Sequence, residues 1–330
     1  MDNLAHALIS VATTAAVAPR SLKKSTGPMV LASVIVANIP DIDILLALFG
    51  QVFYHFHHRG FTHSFLGLAL MVPLGVFVQQ FLCRFKPVMN IKQSIFWTLS
   101  QLLFSHFVLD YMTSYGVMFL YPFSFARFSL PLMFIIDPIV WFLGVLGVIV
   151  LFKKRDLKCK LYRRLGFGVL LSLFCWYGVL GAAKVRAHSF SYPQVSSENI
   201  QSYPGPLAPL LWLVVKYENH EYDSKILSYS TENQPNIVEQ STPDHFYHDQ
   251  LCPKTASTLK AQEEFLRYQR WATYVICEDM SNDSCRCHSM RYAFDLGEPF
   301  FGSVMIQGNG DIDFIEPRRE GLVDSFIDRF

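Results

Sequence analysis

Long apolar stretches with almost no charge constrain the fold of this chain more than any other feature. Of its 330 residues, 51% are hydrophobic and 15% are aromatic, which is too apolar for an ordinary soluble protein. Between Asp2 and the basic run that begins at Lys153, the acidic residues are Asp41, Asp43, Asp110 and Asp137. Because about 20 apolar residues cross a bilayer as a helix, this part predicts a polytopic helical membrane domain.

The composition changes after residue 188. No glutamate occurs before Glu198, and from there the chain is rich in carboxylates, Asn, Gln, Ser and Pro. We therefore divide this mainly α protein into a transmembrane domain, 1–188, and a small α+β extramembrane domain, 189–330. The elements predicted in the second domain are strands at 207–217 and 300–306 and an amphipathic helix at 258–274.

Charge indicates topology and excludes one class of partner. A formal net charge of +1 offers no basic excess for a nucleic-acid backbone, so no nucleic acid is expected as a partner. Basic clusters at Arg20–Lys24, Arg84–Lys92 and Lys153–Arg164 belong in the cytoplasm by the positive-inside rule. One crossing between successive landmarks then predicts a multi-pass protein whose C-terminal domain lies outside.

The first 19 residues are an apolar, Ala-rich run that basic residues follow. A signal peptide is one interpretation, but its positive charges precede the apolar core. We therefore expect a retained helix, which carries His6.

A polar segment at His57–Ser64 lies between two strongly apolar stretches. Histidine is a common metal ligand, so His58 and His63 at such a place indicate a metal site. Arg59 between them is always charged and forked, which suits it to bind a phosphate oxygen.

Two carboxylates interrupt the apolar stretch 29–49. Asn38 can cap a helix and Pro40 suits a first turn, so we expect the helix to break and restart there. Asp41 and Asp43 would then lie in a first turn, where they could simply be capping groups. Within a stretch of membrane length, however, ionisable groups are costly and usually functional.

His106 and Asp110 are four residues apart and so share one helical face with Thr113. A buried histidine that bonds a carboxylate for structural reasons is the alternative. The argument for a metal site comes from the whole set. Its candidate ligands are His6, Asp41, Asp43, His58, His63, His106 and Asp110.

Imidazole and carboxylate ligands favour two or three divalent ions, zinc first, with manganese or iron as alternatives. Such ions activate water and bind the oxygens of a phosphate or ester. Asp137 would be a further ligand or the base that positions water. Thr62, Ser64 and Thr113 would orient the ligands from behind.

Four cysteines fall in the second domain: Cys252, Cys277, Cys285 and Cys287. An even number in an exported domain favours two disulfides, whose pairing the sequence leaves open. A zinc site is the alternative, although Cys-x-Cys departs from the usual Cys-x-x-Cys spacing.

Four motifs in the first 145 residues resemble the YdjM family of bacterial inner-membrane, metal-dependent hydrolases. They are Met1-Asp2-x-x-x-His6, Pro40-Asp41-Ile42-Asp43, His58-Arg59-Gly60-Phe61-Thr62-His63-Ser64, and His106-x-x-Leu109-Asp110-x-x-Thr113-x-Tyr115-Gly116 followed by Pro122-Phe123. The family is distantly similar to zinc-dependent phospholipase C and the fungal single-strand nucleases, which implies phosphoester hydrolysis. The resemblance leaves the role of 189–330 open.

Together these features predict a metal-dependent hydrolase of the bacterial inner membrane with a periplasmic C-terminal domain. Because the site is expected near the outer leaflet, its substrate would be a lipid or lipid-linked phosphoester or ester, and its partners would be membrane lipids. Two alternatives remain. One is a transporter with a His/Asp ion or proton site, and the other is a membrane-anchored binding or assembly protein that acts through its periplasmic domain.

Overall fold

A computed structural model gives the fold. It describes residues 1–17, 26–153, 159–196, 199–218, 221–229, 236–241, 247–248, 250–253, 255–272, 274–280, 283–292 and 303–315. The basic cluster Arg20–Lys24 and part of the cluster Lys153–Arg164 lie outside these ranges.

The chain forms two compact units. The first contains Met1–Leu45 and His57–Gly181, and the second contains Leu46–Phe56 and Ala182–Phe330. The second unit therefore begins a few residues before the predicted boundary. It also includes a short segment that the sequence placed in the membrane domain. This segment joins the second unit because His55 packs against two aromatic rings there, those of Trp271 and Phe314.

Within the described residues, the helical region contains eight α-helices and three irregular helical segments. The α-helices are α1 (Asn3–Val17), α2 (Thr26–Asn38), α3 (Gln51–His57), α4 (Phe65–Leu82), α5 (Ile91–Leu102), α6 (Val108–Tyr111), α7 (Pro138–Lys153) and α8 (Cys159–Ser191). The irregular segments are 3-10 helices at Ile39–Phe49 and Phe61–His63 and a π-helix at Leu103–Phe107.

Within the described ranges, three helical stretches are long and apolar enough to cross a membrane: Thr26–Phe49, Phe65–Leu82 and Arg163–Ser191. The first breaks after Asn38, as the sequence predicts, and continues as a 3-10 helix that starts at Ile39. Shorter apolar helices occupy Asn3–Val17 and Pro138–Ile149. The helical, apolar character of this region is confirmed.

Helix α1 lies in the centre of the first unit. Most of its side chains are buried, and its small residues allow neighbouring helices to approach closely. A Cβ atom added at Gly144 of α7 would lie 2.4 Å from Leu8 Cβ, and one at Gly147 would lie 2.6 Å from Ala12 Cβ. The Ala-rich composition of the first residues thus reflects tight helix packing.

The second unit contains two antiparallel sheets. One has the order β1-β2-β3-β4 and the other β5-β6-β7-β8-β9. The strands are β1 (Ile200–Pro204), β2 (Leu211–Glu218), β3 (Glu221–Ser228), β4 (Asn236–Ser241), β5 (Tyr247–His248), β6 (Val275–Met280), β7 (Ser284–Ser289), β8 (Ser303–Gln307) and β9 (Ile312–Ile315). Helix α9 (Leu259–Trp271) falls within the predicted helix 258–274, and β2 and β8 overlap the two predicted strands.

Two disulfides involve strands of the second sheet. Cys277 and Cys287 are opposite each other on β6 and β7 and are bonded, and Cys252 is bonded to Cys285. All four cysteines that the sequence singles out are therefore paired with each other in the structure. The pairing itself could not be read from their spacing.

Candidate metal centre

Four separate segments of the first unit bring their polar side chains to one place. His6 comes from α1, Asp41 from the 3-10 helix Ile39–Phe49 and His63 from the 3-10 helix Phe61–His63. The π-helix and α6 supply His106 and Asp110. All five side chains are buried.

The π-helix explains how His6 is held. Irregular turns of this kind are common at functional sites, because they break the regular hydrogen-bond ladder of a helix. The carbonyl oxygen of Ser105, inside this π-helix, lies 2.7 Å from His6 Nδ1. A ring that donates Nδ1–H to a carbonyl directs Nε2 at a metal ion. Sequence periodicity carries no signal for a π-helix, so the sequence alone does not identify Ser105 as a partner of His6.

His63, His106, Asp41 and Asp110 form the first group of ligand atoms. His63 Nε2 lies 2.9 Å from His106 Nε2 and 3.1 Å from Asp110 Oδ2. His106 Nε2 lies 3.4 Å from the same oxygen. Asp41 Oδ1 lies 3.5 Å from His63 Nε2 and 3.7 Å from His106 Nε2. Tetrahedral ligands about 2.0–2.1 Å from zinc are about 3.4 Å apart, so these spacings fit one ion.

The second oxygens of the two aspartates face His6. His6 Nε2 lies 3.3 Å from Asp110 Oδ1 and 4.0 Å from Asp41 Oδ2. The amino group of Met1 also contacts Asp110 Oδ1. Each carboxylate thus directs one oxygen at the His63 and His106 pair and the other at His6. Two carboxylates in this arrangement can bridge a pair of ions.

Three buried atoms of this cluster have no hydrogen-bond partner among the described residues: His6 Nε2, Asp41 Oδ2 and His106 Nδ1. An unsatisfied buried polar atom costs about 1–3 kcal/mol. His6 Nε2 and Asp41 Oδ2 lie 4.0 Å apart, and a cation between these two atoms would satisfy both. The residues therefore fit a divalent metal.

A second group of ligand atoms contains Asp41, Asp43 and His58. Asp43 Oδ1 lies 2.8 Å from His58 Nδ1. Asp43 Oδ2 accepts hydrogen bonds from the backbone N–H of Arg59 at 2.9 Å and from the Thr62 hydroxyl at 3.0 Å. Both oxygens of Asp43 are therefore occupied by the loop that follows α3.

The two loop histidines have different electrostatic surroundings. Burial lowers the pKa of His58, although the hydrogen bond to Asp43 opposes this shift. Burial would lower the pKa of His63 as well, but its hydrogen bonds to Asp110 and Asp41 raise that pKa above its ordinary value. The environment of His63 thus favours a positive charge.

Arg59 is buried at the edge of the cluster. Its Nη2 lies 2.9 Å from Asp110 Oδ1, and its Nη1 donates to the Thr113 hydroxyl at 2.9 Å. The guanidinium also lies 5.1 Å from the centre of the Tyr115 ring. Its Nε has no hydrogen-bond partner within the described part of the chain. Arg59 therefore adds positive charge beside the carboxylates and retains one donor.

The remaining predicted site residues differ in position. Thr62 contacts Asp43 and also His63 Nδ1, at 2.9 Å, and Thr113 donates to the carbonyl oxygen of Asp110. Ser64 instead caps α4, because it accepts a hydrogen bond from the Gly67 N–H.

Asp137 belongs to neither group of ligand atoms. Its carboxylate caps α7 by accepting hydrogen bonds from the N–H groups of Ile139 and Val140. Its other oxygen accepts a hydrogen bond from Trp176 Nε1 at 3.2 Å.

Comparison with known proteins yields one family and two curated relatives. The family model described as YdjM inner membrane protein matches residues 1–187. Inner membrane protein YbcI of Escherichia coli (strain K12) is 40% identical over 107 residues, which are 31% of this chain and 58% of YbcI. Protein YfhP of Bacillus subtilis (strain 168) is 28% identical over 146 residues, which are 43% of each chain.

The matched region thus spans less than two thirds of either relative. No solved structure matches the chain.

Proposed function

The chain belongs to the YdjM family of inner membrane proteins, and from that premise we propose that it is a membrane-bound, metal-dependent hydrolase. Its substrate would be a phosphoester or ester of a lipid or lipid-linked compound. One observation carries the proposal. Four ligand atoms from Asp41, His63, His106 and Asp110 all lie within 4.8 Å of one another, and all four side chains are buried.

Asp41, Asp110, His63 and His106 would hold one divalent ion, zinc first, and His6 with the same two carboxylates would hold a second. His58, which forms the second group of ligand atoms with Asp41 and Asp43, would be a further ligand. Divalent ions in such a pair act as Lewis acids and lower the pKa of bound water towards neutrality.

The chain itself would supply charge and orientation. Arg59 would donate a hydrogen bond from its guanidinium to a substrate oxygen, which neutralises charge that develops during ester cleavage. Asp137 would be the base that holds the attacking water, and to do so its carboxylate would exchange the hydrogen bond from Trp176 for one from that water. A third ion and manganese or iron in place of zinc are compatible with the same donors.

An amphiphilic substrate follows from the surroundings of the site. Asp41 belongs to a helical stretch that is apolar and long enough to span a membrane, and His6 belongs to a shorter apolar helix. A water-soluble substrate would not require ligands buried among such helices. We place the protein in the bacterial inner membrane with several crossings and a periplasmic C-terminal unit. The basic residues Arg84 and Lys86 between α4 and α5, and Lys92 in the first turn of α5, would face the cytoplasm.

The proposal is tested with protein purified in detergent. Elemental analysis should find about two transition-metal ions per chain, and the loaded protein should cleave a chromogenic phosphodiester or phospholipid vesicles. His63→Ala and Asp110→Ala should each lose bound metal and turnover. A matched control is His188→Ala, which changes a histidine of α8 outside the ligand groups.

Asp137→Asn separates binding from chemistry. Because Asp137 belongs to neither ligand group, this variant should keep its metal and lose turnover by about 100-fold or more, the range for a lost acid–base group. Wild-type protein that folds and binds no transition metal would exclude the proposed function.

A second candidate, a proton or cation pathway, is favoured by a line of buried polar side chains below the metal centre. The Ser105 hydroxyl donates to Thr13 at 2.9 Å, and Gln101 and Trp97 both lie 3.1 Å from the Thr14 hydroxyl. Further along α5, Ser94 donates to Gln79 at 2.7 Å and accepts from Gln80 at 2.6 Å. Polar side chains also join membrane helices without conducting anything.

Flux measurements separate the two candidates. Protein reconstituted in liposomes with a pH-sensitive dye inside should show no proton flux above empty liposomes if it is a hydrolase. A flux that Gln101→Leu abolishes, together with no hydrolysis of any ester tested, would favour the pathway.

A further inference from the structure

Asp43 and Asp41 differ in what they already bind. Asp43 accepts three hydrogen bonds, from His58 Nδ1, the Arg59 N–H and the Thr62 hydroxyl. Asp41 Oδ2 has no hydrogen-bond partner in the described ranges, and its Oδ1 faces the Nε2 atoms of the histidine pair. The Asp43 carboxylate is thus satisfied by protein donors, whereas the Asp41 carboxylate faces the place where a cation fits.

The three donors to Asp43 come from one short loop. Arg59 has a φ angle of 58°, in the left-handed region that a residue with a Cβ atom occupies at a cost. Its N–H bond to Asp43 offsets part of that cost. The same carboxylate fixes the orientation of His58 through Nδ1, so Nε2 is the ring nitrogen that would face a metal ion.

We infer that Asp43 is a positioning residue that holds the loop from His58 to Thr62 for the metal centre and is not itself a ligand. The inference rests on the proposed metal function and departs from the sequence, which placed Asp43 among the ligands beside Asp41. It assigns opposite tasks to two carboxylates that are separated by a single residue and share one 3-10 helix.

The two roles predict opposite behaviour without metal. Asp43→Asn should destabilise chelator-treated protein, because the amide cannot accept all three hydrogen bonds, and Tm should fall by about 5 °C. Asp41→Asn should leave the Tm of the same metal-free protein unchanged or raise it. The reason is that one Asp41 oxygen has no hydrogen-bond partner in the described ranges, and that the nearby negative charge of Asp110 repels the Asp41 carboxylate.

With metal, the order reverses. Asp41→Asn should lose at least one ion per chain. Asp43→Asn should keep the wild-type number of ions and bind them about 10-fold to 100-fold more weakly, the usual effect of removing a partner of a ligating histidine. In cobalt-loaded protein, Asp43→Asn should also shift the visible absorption bands as His58 reorients. A role in folding alone would leave that spectrum unchanged.

An Asp43→Asn protein that loses one ion, or one whose metal-free Tm and cobalt spectrum equal those of the wild type, would overturn the inference. If Asp43→Asn does not fold, Thr62→Ala decides. It removes one of the three donors and should lower the metal-free Tm by a smaller amount with full metal content, whereas an unchanged Tm contradicts the inference. Metal retained by His63→Ala and Asp110→Ala would instead reject the proposed function, and the metal-free comparison of Asp41 and Asp43 would remain valid.

Discussion

In the helical unit, carboxylates and imidazoles pack together inside apolar helices, whereas in the second unit the described ion pairs lie at or near the surface. In the Lys260–Asp311 pair both side chains are exposed, and such a pair contributes little to stability. The second unit is closed instead by two disulfides and paired strands. The difference indicates that the buried charges of the first unit serve a site, whereas the second unit is stabilised by disulfides and strand pairing. The family match covers the first unit and ends at residue 187.

Metal removal should produce the largest effect and confine it to the helical unit. An ion present at 1,000 times its dissociation constant stabilises the folded state by about 4 kcal/mol. Chelation should therefore speed amide hydrogen exchange in the π-helix Leu103–Phe107 and in the loop at His58. Exchange in β6 and β7 should stay unchanged, as followed by mass spectrometry. Equal acceleration in both units would show that the ion stabilises more than the helical unit.

Acid should weaken the second unit through a histidine. Burial lowers the pKa of His288 to about 3, with a smaller contribution from the charge of Arg286. The unfolded chain binds this proton near pH 6.5, so the stability that neutral His288 contributes is complete above pH 6.5 and is lost as the pH falls towards 3. The loss should reach about 4 kcal/mol.

The measurement for His288 is denaturant unfolding of the full chain at several pH values, followed in β7. His288→Gln carries no proton in this range, so its stability should fall less steeply below pH 6.5 than that of the wild type. Identical slopes would show that His288 does not cause the acid sensitivity.

Loss of a disulfide should destabilise the second unit and spare the metal centre. The Cys252–Cys285 bond joins residues 33 apart, and the Cys277–Cys287 bond joins residues 10 apart. Loop-closure entropy then predicts a loss of about 3.5 kcal/mol for Cys252→Ala with Cys285→Ala, and about 1 kcal/mol less for the other pair. Chemical denaturation measures both losses. Metal content should equal that of the wild type, and its loss would couple the two units.

The sequence predicted the elements of this fold better than their irregularities. Apolar length and charge distribution predicted the helices, and Asn38 with Pro40 predicted the break before Asp41. Motif spacing also singled out His63, His106 and Asp110, which lie together in the structure. These features follow from local chemistry that one sequence displays directly.

Three features could not be predicted, because each depends on distant contacts. The π-helix that directs the Ser105 carbonyl at His6 has no periodic signature. The three hydrogen bonds of Asp43 depend on how a loop 15 residues away folds back. The membership of Leu46–Phe56 in the second unit depends on rings more than 200 residues further along the chain.

The smallest expected effect on stability is that of His55 in the segment Leu46–Phe56. This segment belongs to the second unit, although in the sequence it stands between the two ranges of the first unit. The His55 ring is stacked on Phe314 with 4.6 Å between ring centres and lies 5.6 Å from Trp271. A stacked pair of this kind is worth about 0.5–1.5 kcal/mol. His55→Ala and Phe314→Ala should therefore be non-additive by about that amount in a double-mutant cycle on unfolding free energy.

Phe49→Ala provides the matched control for the cycle, because Phe49 lies in the same segment and is 75% exposed. Its effect should add to that of Phe314→Ala. The metal affinity of the single and double variants should stay at the wild-type value. Helix α3 ends one residue before His58. A metal affinity that falls together with the stability of these variants would therefore show that α3 couples the second unit to the metal centre.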